Sequence, residues 1–304
     1  MKTAIIGATS QLARALTPYL AGDGDQVMLF ARNPAKLTDT ALPVSCDFDA
    51  VFDGEFDLIL NCIGAGTPAE LAENYEKWFT VLEPFDNLAL NYLKKVSPQA
   101  LYISFSSGGV YGNNRSKPVD DDTVKTFFPN EISVPDYYAL SKLYAEAKHR
   151  AHKDLRIVDL RIFSFFCAES PLDSGYFMTD LAKAVYDGTP LKTTLSDMVR
   201  DYPHPSDIAK LIRLCAAKEK INTALDVISA APVSKSRILE VCREKYALQT
   251  EFIDSVAASP NQSSNVYYSI SDKARQLCSF VPEYTSEETI LSELDRMLKT
   301  GKIS

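Results

Sequence analysis

Tyr138 and Lys142 stand four residues apart in Pro135-Asp136-Tyr137-Tyr138-Ala139-Leu140-Ser141-Lys142-Leu143-Tyr144-Ala145-Glu146. From Tyr138 onward the stretch is rich in Ala, Leu, Lys and Glu and reads as a helix, with Pro135 just ahead of it. Four residues is about one helical turn, so the phenol and the ammonium project the same way. A free tyrosine has a pKa of about 10 and is a poor proton carrier near neutrality. A cation held beside it favours the phenolate and lowers that pKa towards working pH. Such a pair could move a proton on and off an alcohol or carbonyl oxygen. A packed tyrosine and a solvated lysine give the same spacing by chance, so the surrounding elements must decide.

Those elements begin at the first residues. Thr3-Ala4-Ile5-Ile6 is a short apolar run suited to a buried parallel strand. It breaks at Gly7-Ala8-Thr9-Ser10-Gln11-Leu12-Ala13, after which Leu12, Leu16, Tyr19 and Leu20 recur at helical spacing. Gly22-Asp23-Gly24-Asp25 ends that helix, and Val27-Met28-Leu29-Phe30 is a second strand. A strand-turn-helix-strand unit places backbone N–H groups and a helix N-terminus where a pyrophosphate binds, which makes Gly7, Thr9, Ser10, Gln11 and Leu12 the candidate contacts. Gly7, Ser10 and Ala13 stand where a dinucleotide turn carries three glycines. Gly7 supplies the tight turn, and the other two are small enough for close approach.

Arg32 and Asn33 follow the second strand, with Lys36 one turn on. An acid here would bind the ribose 2′-hydroxyl, whereas an arginine accommodates a 2′-phosphate, so NADP is expected over NAD. Val44-Ser45-Cys46 is a third strand, leaving Asp47 near the adenine. Asp57 to Ile63 is a fourth, broken by Gly64-Ala65-Gly66, with Cys62, Ile63 and Gly64 at its cofactor-facing end. Residues 72–95 read as one long helix in which Trp78, Phe79 and Leu82 are core or interface. A fifth strand, Leu101 to Phe105, runs into Ser106-Ser107-Gly108-Gly109-Val110-Tyr111-Gly112, and a sixth is Arg156 to Ile162. The long loop from Asn113 to Asp136 carries an acid run, Asp120 to Asp122, that reads as a solvated face.

Beyond residue 165 the rhythm loosens. A helix is expected over 174–187, a polar loop from Met198 to Asp207, and helices through Ile208 to Cys215, over 234–247 and through Ile290 to Leu298, with a strand at Leu225 to Ile228. The chain is therefore α/β: a Rossmann-type doubly wound parallel sheet over 1–165, then a smaller C-terminal α/β part over 166–304 that returns some segments to the first core. No flexible linker separates them, so the two must pack together.

A net charge of -8 argues against nucleic acid and anionic membranes as partners. No stretch approaches a membrane span, and the N-terminus enters a strand directly, so a cytoplasmic protein is expected. The cysteines at 46, 62, 167, 215, 242 and 278 form no Cys-x-x-Cys pair and read as reduced thiols. His149, His152 and His204 offer no metal spacing, so no metal is expected.

Five places in order, spanning almost the whole chain, resemble the extended short-chain dehydrogenase/reductases, the nucleotide-sugar epimerase/dehydratase/reductase superfamily. They are Gly7 to Ala13, Asp57 to Gly64, Ser106 to Gly112, Tyr138 to Glu146, and Arg200-Asp201-Tyr202-Pro203-His204-Pro205-Ser206-Asp207. The resemblance implies that Ser107 hydrogen-bonds the reacting oxygen and Tyr138 is the acid/base. It makes Lys142 the residue that binds the nicotinamide ribose and depresses the tyrosine. Arg200 matches a residue that grips a nucleotide diphosphate. Ser164 stands where Arg161-x-x-Asn is usual on the substrate side, and Cys167 where a glycine is common. A dehydratase of this type needs an acid pair directly after the serine, and Gly108-Gly109 stand there instead. Arg32 and the NADPH pool favour a ketoreductase acting at C4 of a nucleotide-linked deoxysugar. A nucleotide-sugar epimerase is the alternative, and a non-catalytic NADP-binding sensor a third. Relatives pair through the Tyr138 helix and the one before it, so a homodimer is possible.

Overall fold

Strand-sized apolar runs alternate with amphipathic helices, and the computed structural model assembles them as that rhythm dictates. It describes residues 1–22, 24–37, 40–64, 74–112, 116–254 and 265–301. Strand β1 (Lys2–Ile6) leads to helix α1 (Gln11–Leu20) and β2 (Gln26–Phe30), followed by β3 (Val44–Ser45) and β4 (Leu58–Asn61). Helices α2 (Lys77–Thr80) and α3 (Glu83–Lys95) precede β5 (Leu101–Ser107), and α4 (Val134–Ala151) precedes β6 (Arg156–Ile162). Then come α5 (Phe177–Asp187), β7 (Leu191–Thr193), β8 (Val199–Arg200), α6 (Pro205–Ala216) and β9 (Asn222–Val227). The chain closes with β10 (Val233–Ser234), α7 (Lys235–Tyr246), β11 (Thr250–Phe252), β12 (Val266–Tyr267), α8 (Lys273–Cys278) and α9 (Ser286–Thr300).

Seven strands form one parallel sheet in the order β3-β2-β1-β4-β5-β6-β9. The order reverses between β1 and β4, so a crevice opens at their carboxyl ends, where open α/β sheets bind ligands. Both faces are covered, which makes the fold doubly wound. One face packs Ile5, Leu60, Ile103, Leu160 and Leu225 against apolar residues of α1, α6 and α8. The other packs Ile6, Ile59, Tyr102 and Ile157 against Ala89, Leu90 and Leu93 of α3. A separate core joins α5, α7 and α9 beside the short strand groups β10-β8-β12 and β11-β7.

Two expectations need correction. The helix over 72–95 is interrupted: α2 ends at Thr80 and α3 starts at Glu83 with a proline in its first turn. Pro84 would clash with the carbonyl four residues back if the helix continued, so it starts a new one; residues 72 and 73 lie outside the described set. The stretch from Met198 to Asp207, expected as a polar loop, instead holds β8 and the start of α6 and is largely buried. Arg200, Asp201 and Asp207 are 7%, 1% and 1% exposed. Asp201 accepts the Ser229 N–H and the Ser286 hydroxyl, and Asp207 accepts the N–H groups of Glu283 and Tyr284. Their carboxylates satisfy backbone groups of distant segments that burial would otherwise strand.

All six cysteines carry free thiols, and Cys46 alone is exposed. Among the described residues no helix is long and apolar enough to cross a membrane.

Candidate active site

The carboxyl end of β5 delivers Ser107 to the crevice. Its hydroxyl accepts the Gly109 N–H at 3.0 Å as the chain turns into a 3-10 segment, Gly108–Tyr111. A Cβ at Gly108 would run into the Phe163 ring, and one at Gly109 would lie 3.2 Å from the Tyr138 ring and 3.4 Å from Ser107 Oγ. Gly108 is therefore required by close approach, and a side chain at Gly109 would press on the Tyr138 ring and on Ser107.

Helix α4 carries Tyr138 and Lys142. It starts four residues before Tyr138, with the Asp136 carboxylate accepting the Ser133 N–H at 3.2 Å. The Tyr138 ring and Ser107 Oγ flank Gly109, 3.2 and 3.4 Å from where its Cβ would stand. Lys142 Nζ sits 5.9 Å from the centre of the Tyr138 ring and donates to the Phe105 carbonyl at 2.8 Å. The structure thus brings Ser107, Tyr138 and Lys142 together at one end of the sheet.

Their electrostatics differ from the expectation. Burial raises the Tyr138 pKa above its usual value, and the neighbouring Ser107 hydroxyl offsets only part of that. Burial also lowers Lys142 to about 8, opposed by Asp159, Glu146 and Asp86. Lys142 turns its ammonium to a backbone carbonyl and lies 5.9 Å from the ring centre, and burial sets the direction of the Tyr138 shift. At neutral pH Tyr138 is a protonated phenol poised to donate.

Sequence reasoning missed several neighbours. The Tyr267 hydroxyl, on β12, is 3.4 Å from Ser107 Oγ, and its ring meets Phe163 edge-on at 5.3 Å. Arg200 lies with its guanidinium 5.7 Å from the Tyr267 ring, so β8 and β12 bring a buried cation to the serine side of the site. Ser164 follows Phe163 and is half-buried. Trp78, expected in a core or interface, packs its ring 4.5 Å from that of Tyr138 at 62°; Phe79 is exposed.

A polar layer lies between this end of the sheet and helices α3 and α4. Ser106 donates to Glu146, and Arg161 grips the same carboxylate with two nitrogens at 2.9 and 2.6 Å. Arg161 also donates to the Tyr111 hydroxyl at 2.6 Å, which donates in turn to Asp226 at 3.0 Å. This chain fixes the turn that follows Ser107. It was visible in the sequence as alternation: along β5 and β6, Tyr102 and Ile157 share their face with Ser104, Ser106, Asp159 and Arg161.

The residues expected at a dinucleotide gather at the other side of the crevice. Gly7 has φ +78°, a left-handed conformation that favours glycine, and a Cβ there would come within 2.9 Å of the Ile63 nitrogen. Ser10 caps α1 by accepting the Ala13 N–H at 3.1 Å, with Thr9, Gln11 and Leu12 around it, all half-buried. Cys62 is buried, Ile63 half-buried and Gly64 exposed at the end of β4. Ala65 and Gly66 lie outside the described residues. The turn and helix N-terminus sit where the strand order reverses, so this donor set fits a dinucleotide pyrophosphate. Arg32 and Asn33 are exposed past β2, and Arg14 joins them by donating to the Lys36 carbonyl at 2.6 Å. Asp47 is exposed, with its carboxylate accepting the Asp49 N–H at 3.0 Å.

With this geometry in place, kinship can be read. The chain matches the NAD dependent epimerase/dehydratase family over residues 3–230 and belongs to it. It is an NAD(P)-dependent enzyme of the extended short-chain dehydrogenase/reductase type. No curated protein matches the sequence. Among solved structures, the epimerase Mth375 from Methanothermobacter thermautotrophicus has a TM-score of 0.82 at 18% identity, covering 99% of this chain and 92% of that one. UDP-glucose-4-epimerase from Stenotrophomonas maltophila, with bound NAD and formylated UDP-arabinopyranose, gives 0.81 at 14%, covering 99% and 98%. The dTDP-glucose 4,6-dehydratase from Bacillus anthracis in complex with NAD gives 0.75 at 13%, covering 98% and 97%. At these identities the likeness is one of fold.

Proposed function

We propose that this protein is an NADPH-dependent ketoreductase that reduces the 4-keto group of a nucleotide-linked deoxysugar. A nicotinamide bound in the crevice would supply the hydride. Tyr138 gives its proton to the carbonyl oxygen, Ser107 orients that oxygen by a hydrogen bond, and Lys142 holds the nicotinamide ribose. Gly7, Ser10 and the first turn of α1 bind the pyrophosphate, and Arg32 with Asn33 takes the 2′-phosphate side. Arg200 meets the anionic end of the substrate, with residues 166–304 mainly forming that half of the site.

The observation that carries this reading is the grouping at the end of β5, where Ser107 Oγ and the Tyr138 ring flank Gly109 and Lys142 Nζ lies 5.9 Å from the ring centre, with burial keeping the phenol protonated. A proton donor is what reduction needs. The packing around Gly108 and Gly109 argues against the acid pair of a dehydratase. Arg32, exposed past β2 with Lys36 one turn on, supports NADP over NAD.

An epimerase is the second reading, favoured by the UDP-glucose-4-epimerase that shares the fold and carries NAD. Incubation with NADPH and a panel of 4-keto nucleotide sugars separates them. Stoichiometric NADPH loss means reduction, isomer exchange without net loss means epimerisation, and binding without turnover means a sensor. Pairing of two copies through α3 and α4 would cover Leu143 and Tyr144, which are exposed on α4.

A further inference from the structure

Beneath Tyr138 and Lys142 lies a charged cluster that the proposed reaction leaves unused. Asp86 on α3, His149 on α4 and Asp159 on β6 are 5%, 0% and 0% exposed. The imidazole bridges the carboxylates, with Nε2 2.6 Å from Asp86 Oδ1 and Nδ1 2.7 Å from Asp159 Oδ1. Tyr102 on β5 donates to Asp86 Oδ1 at 2.8 Å and receives the Asn61 amide of β4 at 3.1 Å. Lys148 pairs with Asp86 Oδ2, and Arg150 with Asp159 Oδ2 at 2.6 Å. Two buried carboxylates cost several kcal/mol of desolvation each, and apolar residues of the same shape would hold α3 on α4 at least as well. The cluster therefore invites a reason beyond packing.

Its position supplies one. A cavity of about 20 Å³ separates it from the catalytic lysine, lined by Lys142, Asp86, Asp159, Asn61, Ser104 and Ser106 among others. That is room for one water with ample hydrogen-bonding partners. Lys142 has three N–H donors, of which the Phe105 carbonyl takes one. We propose that Asp86 and Asp159, clasped by His149, are positioning residues that face Lys142 across this one-water cavity and keep its buried ammonium charged. Glu146, one helical turn from Lys142 and paired with Arg161, adds a third carboxylate on the same side. Burial alone drives Lys142 towards the neutral amine, and these three carboxylates oppose it. The use made of that charge, holding a cofactor ribose beside Tyr138, rests on the ketoreductase reading; the electrostatic coupling does not.

The test reads Lys142 directly and needs no substrate. In protein labelled with ¹³Cε-lysine, the Lys142 NMR signal is the one missing from Lys142→Met, and its midpoint in wild type is expected near 8. Asp86→Asn keeps an oxygen for Tyr102 and His149 but removes the charge, and should lower that midpoint by about half a unit or more. Lys148→Gln strips a cation from Asp86 at a more exposed place and should raise it by a smaller amount. Thermal melts establish that each variant is folded. An unmoved midpoint in folded Asp86→Asn overturns the proposal, and if that variant does not fold, an unmoved or lowered midpoint in Lys148→Gln overturns it. Shifted midpoints without ketoreduction would sink the functional reading alone, and turnover with unshifted midpoints would sink this inference alone.

Discussion

The two faces of the central sheet are built from the same strands to different rules. Towards α1, α6 and α8 the inward positions are mostly apolar, as Leu58 and Leu60, Leu101 and Ile103, or Val158 and Leu160 illustrate, with Thr3 buried beside Ile5 and Ser107 closing β5 on the same side. Towards α3 and α4 the strands begin apolar, with Ile59, Tyr102 and Ile157. They end polar, with Asn61, Ser104, Ser106, Asp159 and Arg161. The first face holds the fold by burying area. The second gives up part of that burial so that charges can stand under Ser107, Tyr138 and Lys142. The difference teaches that the charged layer of the site lies where the strands stop being apolar towards α3 and α4.

The sharpest way to break this contrast is Tyr138→Phe. Turnover of a 4-keto nucleotide sugar should fall by about 10²- to 10⁴-fold while NADPH binding and the melting temperature hold; NADPH-oxidation assays and calorimetry read the two. Leu160→Ala, on the opposite face, should do the converse. It should cost about 2–5 kcal/mol in a urea melt and leave the activity of the folded fraction intact. A loss of kcat there would mean that the faces are not separable.

His149→Gln probes the polar face through pH. Its two carboxylate partners overcome burial and raise His149 from the ordinary value to about 9. A folded-state pKa above the unfolded one contributes stability that is complete below about pH 6.5 and lost as pH rises through 9. The deficit of His149→Gln against wild type should therefore be largest near pH 6, up to about 3 kcal/mol, and shrink across that window. A deficit that does not change with pH would mean that the imidazole is neutral. The smallest effect belongs to Arg32, which lies past β2 and on neither face. Arg32→Ala should weaken NADPH binding about tenfold and leave NADH unchanged, as fluorescence titration would report.

Much of this was readable from the chain. The β1-α1-β2 unit, the turn at Gly7 and the shared side of Tyr138 and Lys142 follow from local periodicity and spacing, which sequence displays directly. The neighbours of Ser107 did not follow, because Tyr267 reaches it from 160 residues away through the pairing of β12 with β8. The burial of Arg200, Asp201 and Asp207 was hidden for another reason. A carboxylate that serves distant backbone N–H groups looks, in sequence, like one that faces water. Trp78 was misjudged because a large aromatic suits a core and an active-site wall equally well. The direction of the Tyr138 shift turned on burial, which outweighs the Ser107 contribution, and no pattern of residue types displays how deeply a phenol lies.

The contact between Tyr267 and Ser107 has a consequence for how the molecule is made. The sheet is complete in the chain at Val227, yet the wall beside Ser107 arrives only with β12, about 40 residues later. At ~5–20 residues per second on a ribosome, that interval is a few seconds. During it a nascent chain can hold the crevice between β1 and β4 while the wall beside Ser107 is still absent.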